Sequence, residues 1–137
     1  MKLRLNNFKR VTCGIMKVLF SIVLMLSVPY ILCYDEKYDK IDVDKIINDD
    51  KLFNAYIDCM LDRGPCTLEY SEDFKKLLPE VIATCCAKCS PLQRQNVRKT
   101  VRALTEKRPD DFKTFRDKFD PKGEYEKDFT AFVLGSD

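Results

Sequence analysis

Histidine is missing from all 137 residues, and so is tryptophan. The first absence removes much of the catalytic repertoire. No Ser–His or Cys–His nucleophile can be assembled, and the usual proton shuttle and metal ligand are gone. The carboxylate clusters that remain, Asp49-Asp50, Asp110-Asp111 and Glu124 with Glu126, read more simply as helix starts or solvated faces. No enzyme, cofactor or metal is expected. Strand patterning is missing as well, because apolar and polar residues nowhere alternate with period two for long. There is no internal repeat and no low-complexity tract. Nor is there an excess of positive charge once the N-terminus is set aside. Residues 1–33 hold five basic residues and no acid, so positions 34–137 keep 19 basic against 22 acidic residues, a net charge of about −3. That leaves no basic face for a phosphate backbone, and nucleic acid is not an expected partner.

The N-terminal segment has its own character. Residues 1–10 are basic, and the apolar run 18–26, broken only by Ser21, follows them. This is the order of a secretory signal. The run falls short of the roughly 20 apolar residues that a membrane span needs, so no stable membrane insertion is expected after its removal. Met16 offers an alternative start, and cleavage is expected after Cys33; the competing reading is an uncleaved anchor. The remaining residues 34–137 make one secreted domain, large enough to bury a core and small enough to gain from disulfides.

In that domain period-3.6 patterning dominates. Residues 34–42 form a polar, tyrosine-bearing arm. Val43, Ile46 and Ile47 mark one or two amphipathic turns, and Leu52, Phe53, Tyr56, Met60 and Leu61 follow helical spacing until Arg63-Gly64-Pro65. Ser71, with Glu72 and Asp73 behind it, is a plausible helix start. Phe74, Leu77, Leu78, Val81, Ile82 and Cys85 then keep one face, with a kink expected at Pro79. Ser90-Pro91 opens the next helix, which Val97, Val101 and Leu104 carry to Arg108-Pro109. Phe112, Phe115 and Phe119 share the side of another, closed by Asp120-Pro121-Lys122-Gly123, and Tyr125, Phe129, Phe132 and Val133 pattern the last. The spacing predicts an all-α bundle of five or six helices.

Seven cysteines are present, and Cys59, Cys66, Cys85, Cys86 and Cys89 lie beyond the signal. Using Cys86 as the third member gives C-x6-C-x19-C-x2-C, for which disulfides are the default in a secreted chain. Four cysteines allow three pairings, and spacing does not choose among them. A four-thiolate zinc site and a redox C-x-x-C at Cys86-Ala87-Lys88-Cys89 are weaker alternatives, disfavoured by the signal and by the lack of strands. Cys85 is left over, as a buried thiol or as a handle for a covalent dimer of an otherwise monomeric protein.

Four ordered blocks give the chain a resemblance. Tyr38-Asp39-Lys40-Ile41-Asp42-Val43-Asp44-Lys45-Ile46, Tyr56-Ile57-Asp58-Cys59-Met60-Leu61-Asp62-Arg63-Gly64-Pro65-Cys66-Thr67, Leu78-Pro79-Glu80 and Cys86-Ala87-Lys88-Cys89 resemble the insect chemosensory proteins, or OS-D family, and the likeness continues through Asp120-Pro121-Lys122-Gly123-Glu124-Tyr125. The resemblance implies about six helices around an apolar channel and a pairing of neighbouring cysteines, Cys59–Cys66 and Cys86–Cys89. It also implies ligands such as long-chain fatty acids, alcohols, esters and related semiochemicals. Two features depart from the family pattern. Nineteen residues separate Cys66 from Cys86, one more than usual, with Cys85 in the preceding place and the extra residue expected within 70–74. Phe112 stands where the family often has tryptophan.

The candidate wall of such a channel comprises Tyr56, Leu52, Leu61, Leu78, Val81, Ile82, Val101, Leu104, Phe112 and Phe115; the phenylalanines also read as ordinary core, and Tyr56 as a half-exposed helix residue. Tyr56 matches the family's channel-facing tyrosine, and its hydroxyl is expected to donate to a ligand oxygen while the ring packs on the alkyl chain. Two functions follow: a carrier of apolar small molecules, or an extracellular signalling or developmental protein acting through its surface.

Overall fold

Aspartates set the starts of the first elements. In the computed structural model, which describes residues 32–135, Asp42 accepts a hydrogen bond from the Lys45 N–H and opens α1 (Val43–Asn48). Asp49 closes α1 and caps α2 (Asp50–Met60), accepting from the Lys51 and Leu52 N–H groups. The basic and apolar segment read as a signal lies outside the described residues, apart from Leu32 and Cys33. Before α1, the arm carries a 3-10 turn (Glu36–Lys40).

Helix α2 turns its Phe53, Ile57, Cys59 and Met60 inward and stops at Leu61. There Asp62 adopts φ 59° and the Arg63 and Gly64 N–H groups fold back onto the Asp58 carbonyl. That turn brings Cys66 to Cys59, with Cα atoms 4.9 Å apart in the disulfide. Helix α3 (Ser71–Ala83) follows. Ser71 is its first residue but does not cap it: its hydroxyl donates to the Leu68 carbonyl at 2.7 Å from a fully buried position, and the left-handed Tyr70 (φ 54°) precedes it. Pro79 lies inside α3 with its ring on the exposed side, and the helix continues through it.

Helix α3 ends without glycine. Cys85 and Cys86 both take positive φ (51° and 61°), and the Cys86 N–H bonds the Val81 carbonyl at 2.8 Å, a Schellman-type closure. A left-handed residue with a Cβ costs on the order of 1–2 kcal/mol, and here the disulfide Cys86–Cys89 spans the same turn. The disulfides Cys59–Cys66 and Cys86–Cys89 each pair sequence neighbours, and no metal-binding thiolate cluster lies among the described residues.

Ser90 and Gln93 then form a reciprocal capping box, with Pro91 at the first position of α4 (Pro91–Lys107). This is the central element, touching α1, α5, α6 and the 3-10 turn. Helix α5 (Pro109–Phe119) starts on the second such proline, Pro109. Its Asp111 joins Arg63, at 2.7 Å, and Arg108 in an ion-pair cluster with Asp58 that ties α5 to the end of α2. Buried Asp120 accepts from the Glu124 and Tyr125 N–H groups, and Gly123 (φ 65°) completes the turn into α6 (Glu126–Leu134).

Helix α6 is held by arginines. Arg98 donates to the Phe132 carbonyl at 2.8 Å and Arg102 to the Val133 carbonyl at 2.7 Å. The guanidinium carbons of Arg94 and Arg98 lie 4.8 and 4.7 Å from the centre of the Phe132 ring. Arg94 and Arg98 are both buried, which aligned hydrogen bonds and an aromatic face make tolerable. The described residues thus form six α-helices and no strand.

Candidate ligand cavity

Between the arm and helices α1 to α5 lies a cavity of about 190 Å³, room for roughly a dozen water-sized positions. Its walls follow from helical spacing. Phe53, Tyr56, Ile57 and Met60 of α2 reach it at i, i+3, i+4 and i+7, and Phe74, Leu77, Leu78 and Val81 of α3 repeat that pattern. Helix α4 supplies two stacked rows, Gln93, Val97 and Val101 beside Asn96, Thr100 and Leu104. Val43 and Ile46 of α1 and Phe115 of α5 complete the sides, while Tyr34, Tyr38 and Ile41 of the arm close the top.

The polar groups on this wall are almost all occupied by the protein. Tyr34 donates to Glu80 at 2.8 Å, Tyr38 to Asp73 at 3.1 Å, and Tyr56 to the Glu69 carbonyl at 2.9 Å. Thr100 donates to the Asn96 carbonyl, and the Gln93 carboxamide bonds the Asp35 carbonyl and the Ser90 N–H. Burial pushes the phenols of Tyr34, Tyr38 and Tyr56 up, and the neighbouring charges of Glu80, Asp73 and Glu69 push the same way. All three stay neutral. Glu80 is held low by Lys88 and Tyr34, and Asp73 by Tyr38 and Lys37. The side chain of Asn96 is the polar wall group that makes no hydrogen bond among the described residues.

Tyr34–Glu80 and Tyr38–Asp73 fasten the arm to α3. Ser90 donates to Asp39 at 2.9 Å, and with the Gln93–Asp35 bond this fastens the arm to α4. The Tyr38 ring also packs edge-on against Tyr70 and at a tilt against Phe74, with centroids 5.4 and 5.5 Å apart. The arm is therefore the roof of the cavity.

Of the residues read from sequence, Tyr56, Leu78, Val81, Val101, Leu104 and Phe115 converge on this cavity. Ile82 and Phe112 line a separate one, which shares Val101, Leu104 and Phe115 with it. Leu52 and Leu61 line neither: each stands one residue outside the 53/56/57/60 row, about 100° around the helix, and Leu61 is packed in the core instead. Tyr56 lines the cavity as expected, and without a ligand its hydroxyl donates to the Glu69 carbonyl, so donation to a ligand would require that bond to be exchanged. Sequence reasoning missed Tyr34, Tyr38 and Ile41 of the roof and the polar strip Gln93, Asn96 and Thr100. The tyrosines four apart in a polar arm were the available signal. No helix among the described residues is long and apolar enough to cross a membrane.

Comparison with known proteins places these features. Residues 34–127 match the insect pheromone-binding family A10/OS-D. The chain is 44% identical over 103 residues to ejaculatory bulb-specific protein 3 of Drosophila melanogaster, covering 75% of this chain and 81% of that protein. It is 39% identical over 92 residues to putative odorant-binding protein A10 of the same organism, covering 67% of this chain and 59% of that protein. Among solved structures, a chemosensory protein in complex with bromo-dodecanol superposes with a TM-score of 0.64 at 28% identity, over 72% of this chain and 97% of that one. The family description and the name of the A10 relative are those of binding proteins.

Proposed function

The chain belongs to the insect pheromone-binding family A10/OS-D, and from that premise we propose that it is a secreted carrier of long-chain apolar small molecules. Fatty acids, alcohols, esters and related semiochemicals are the ligand classes, and the cavity under the arm is the site. One observation carries the reading: a cavity walled by aliphatic and aromatic side chains, whose tyrosine and threonine hydroxyls have all given their hydrogens to the protein. Such a wall offers an alkyl chain burial and offers a head group little. The related chemosensory protein solved with bromo-dodecanol supports a ligand of that kind.

Removal of residues 1–33 and export of 34–137 as a monomer belong to the same proposal. Two disulfides at short spacing suit an oxidising compartment. Cys85 is half-buried, and a covalent dimer through it is the alternative to the monomer.

Burial of a methylene is worth about 0.8 kcal/mol, or about fourfold in affinity. Displacement of a fluorescent fatty-acid probe by alcohols from hexanol to tetradecanol tests the reading on the oxidised protein. Affinity is expected to climb with each carbon until the chain outgrows the cavity. Absence of saturable binding would defeat the carrier reading and leave the surface-acting alternative.

A further inference from the structure

Helix α4 carries a polar strip into the cavity under the arm. Gln93, Asn96 and Thr100 form it, and Val101 and Leu104 continue the same face farther along. Gln93 is buried, and its carboxamide is held at both ends, by the Asp35 carbonyl and the Ser90 N–H. Thr100 gives its hydrogen to the Asn96 main-chain carbonyl at 2.9 Å. Between them the half-buried Asn96 side chain keeps two N–H donors and a carbonyl acceptor on the cavity wall, with no hydrogen-bond partner among the described residues.

The occupant of the cavity decides what that carboxamide costs. An alkyl chain that dries the wall strips water from it, and a polar group left without a partner is destabilising. A hydrocarbon therefore binds at the expense of Asn96. A ligand with an oxygen at one end gives back the lost bond.

The kind of oxygen follows from the other groups on the wall. No lysine, arginine or carboxylate lies on it among the described residues, so an ionised head group would be buried without a counter-charge. An ether or ester oxygen only accepts, and uses one N–H of Asn96. A hydroxyl both accepts and donates, and so answers the N–H and the carbonyl together. The tyrosines have no hydrogen to offer the ligand's oxygen, since theirs go to Glu80, Asp73 and the Glu69 carbonyl.

Position agrees with this chemistry. Asn96 stands one turn along α4 from Gln93, which is bound to the arm. Leu104 lies two turns further, about 12 Å along the axis, with Phe115 on the same wall. A head group held at Asn96 lays its alkyl chain along Val101 and Leu104.

We propose that Asn96 is the specificity-determining residue of this cavity and that it selects long-chain primary alcohols. Its N–H donates to the ligand hydroxyl, and its carbonyl accepts the ligand's O–H. The inference rests on the carrier reading and adds to it an orientation and a preferred head group.

Displacement of a neutral naphthylamine probe from the full oxidised domain tests it, using dodecanol, undecyl methyl ether and tridecane, which have equal heavy-atom counts. Each ligand is compared with itself between wild type and variant, so its own cost of leaving water cancels. Asn96→Leu, of similar volume, should weaken dodecanol about tenfold and the ether by less than about fivefold, while tridecane binds as well or better. Thr100→Val, which removes a hydroxyl committed to the main chain, should leave all three within about twofold. In the wild-type protein, the Asn96 side-chain amide protons should move downfield with dodecanol and not with tridecane, a readout that needs no variant. The proposal is overturned if Asn96→Leu changes dodecanol and tridecane equally or changes neither. It is also overturned if the ether loses as much as the alcohol, or if the amide protons answer both ligands alike. In each of those cases saturable binding leaves the carrier reading standing. If none of the three ligands displaces the probe, both readings fall.

Discussion

Replacing Tyr56 by Phe separates two roles for one hydroxyl. In the structure that hydroxyl donates to the Glu69 carbonyl at 2.9 Å, thirteen residues along the chain and just before the left-handed Tyr70 that precedes α3. The bond holds the loop between Cys66 and α3 against α2. Its deletion removes one neutral hydrogen bond, worth about 1 kcal/mol. The Glu69 carbonyl is in an exposed residue and regains water, which places the cost at or below that figure. In a domain of this size 1 kcal/mol corresponds to a melting-point change of about 4–8 °C, so Tyr56→Phe should melt a few degrees lower.

Binding should move far less. The phenyl ring stays on the wall, and the lost hydrogen is the one committed to the Glu69 carbonyl. Titration of dodecane and dodecanol against a displaced fluorescent probe should therefore give wild-type affinities for both, within about twofold. A tenfold loss for dodecanol alone, with an unchanged melting point, would show the hydroxyl serving the ligand and refute the assignment.

Two other outcomes follow from the same geometry. Asp73, Glu80 and Asp111 are held below the ordinary carboxylate values, and Asp62 is lowered to about 2 by Lys118 and Lys75. Depressed folded-state values stabilise the fold above the unfolded values, and that contribution is lost as pH falls through the folded ones. The melting point should therefore decline on acidification below the carboxylate range. The raised phenols of Tyr34, Tyr38 and Tyr56 act oppositely: their contribution is complete below 10 and lost as pH rises beyond it. With no histidine in the chain, melts should stay flat from about pH 6 to 9, and a transition centred near neutrality would contradict this account. Separately, Arg98→Met removes the bond to the Phe132 carbonyl. Loss of a charge-assisted bond should cost about 1.5–3 kcal/mol and speed amide exchange in α6 before α4; equal exchange in both helices would argue against a local clamp.

How much of this was readable in the sequence depends on whether the signal was local. The Ser90-Pro91 start was legible because capping is decided within four residues, and Gln93 completes the box. Ser71 was misleading for the same reason: it is a good cap in isolation, yet here its hydroxyl turns back to Leu68 inside a buried corner. Phe74, Leu77, Leu78 and Val81 were legible as one face. The row on α2 was read a residue wide on each side, because Leu52 and Leu61 are apolar whether or not they face the cavity. Nothing in the sequence around Arg94 and Arg98 marks them as buried, and only the tertiary placement of Phe132 shows why they are.

The roof tyrosines were the least legible part of the site, and they decide its chemistry. Nothing local to residues 34–42 says that Tyr34 and Tyr38 reach carboxylates on a helix some 35 to 46 positions away. Yet those two bonds do double service. They close the top of the cavity, and they use up the hydroxyls that would otherwise select for a ligand's polar end. A wall left with Asn96 as its one uncommitted polar side chain cannot separate an alcohol from an ester by more than a single hydrogen bond's net worth, about 1 kcal/mol. Two added methylenes exceed that. Discrimination by length over head group is thus the outcome expected from where the arm's hydrogen bonds go, and not from the apolar lining alone.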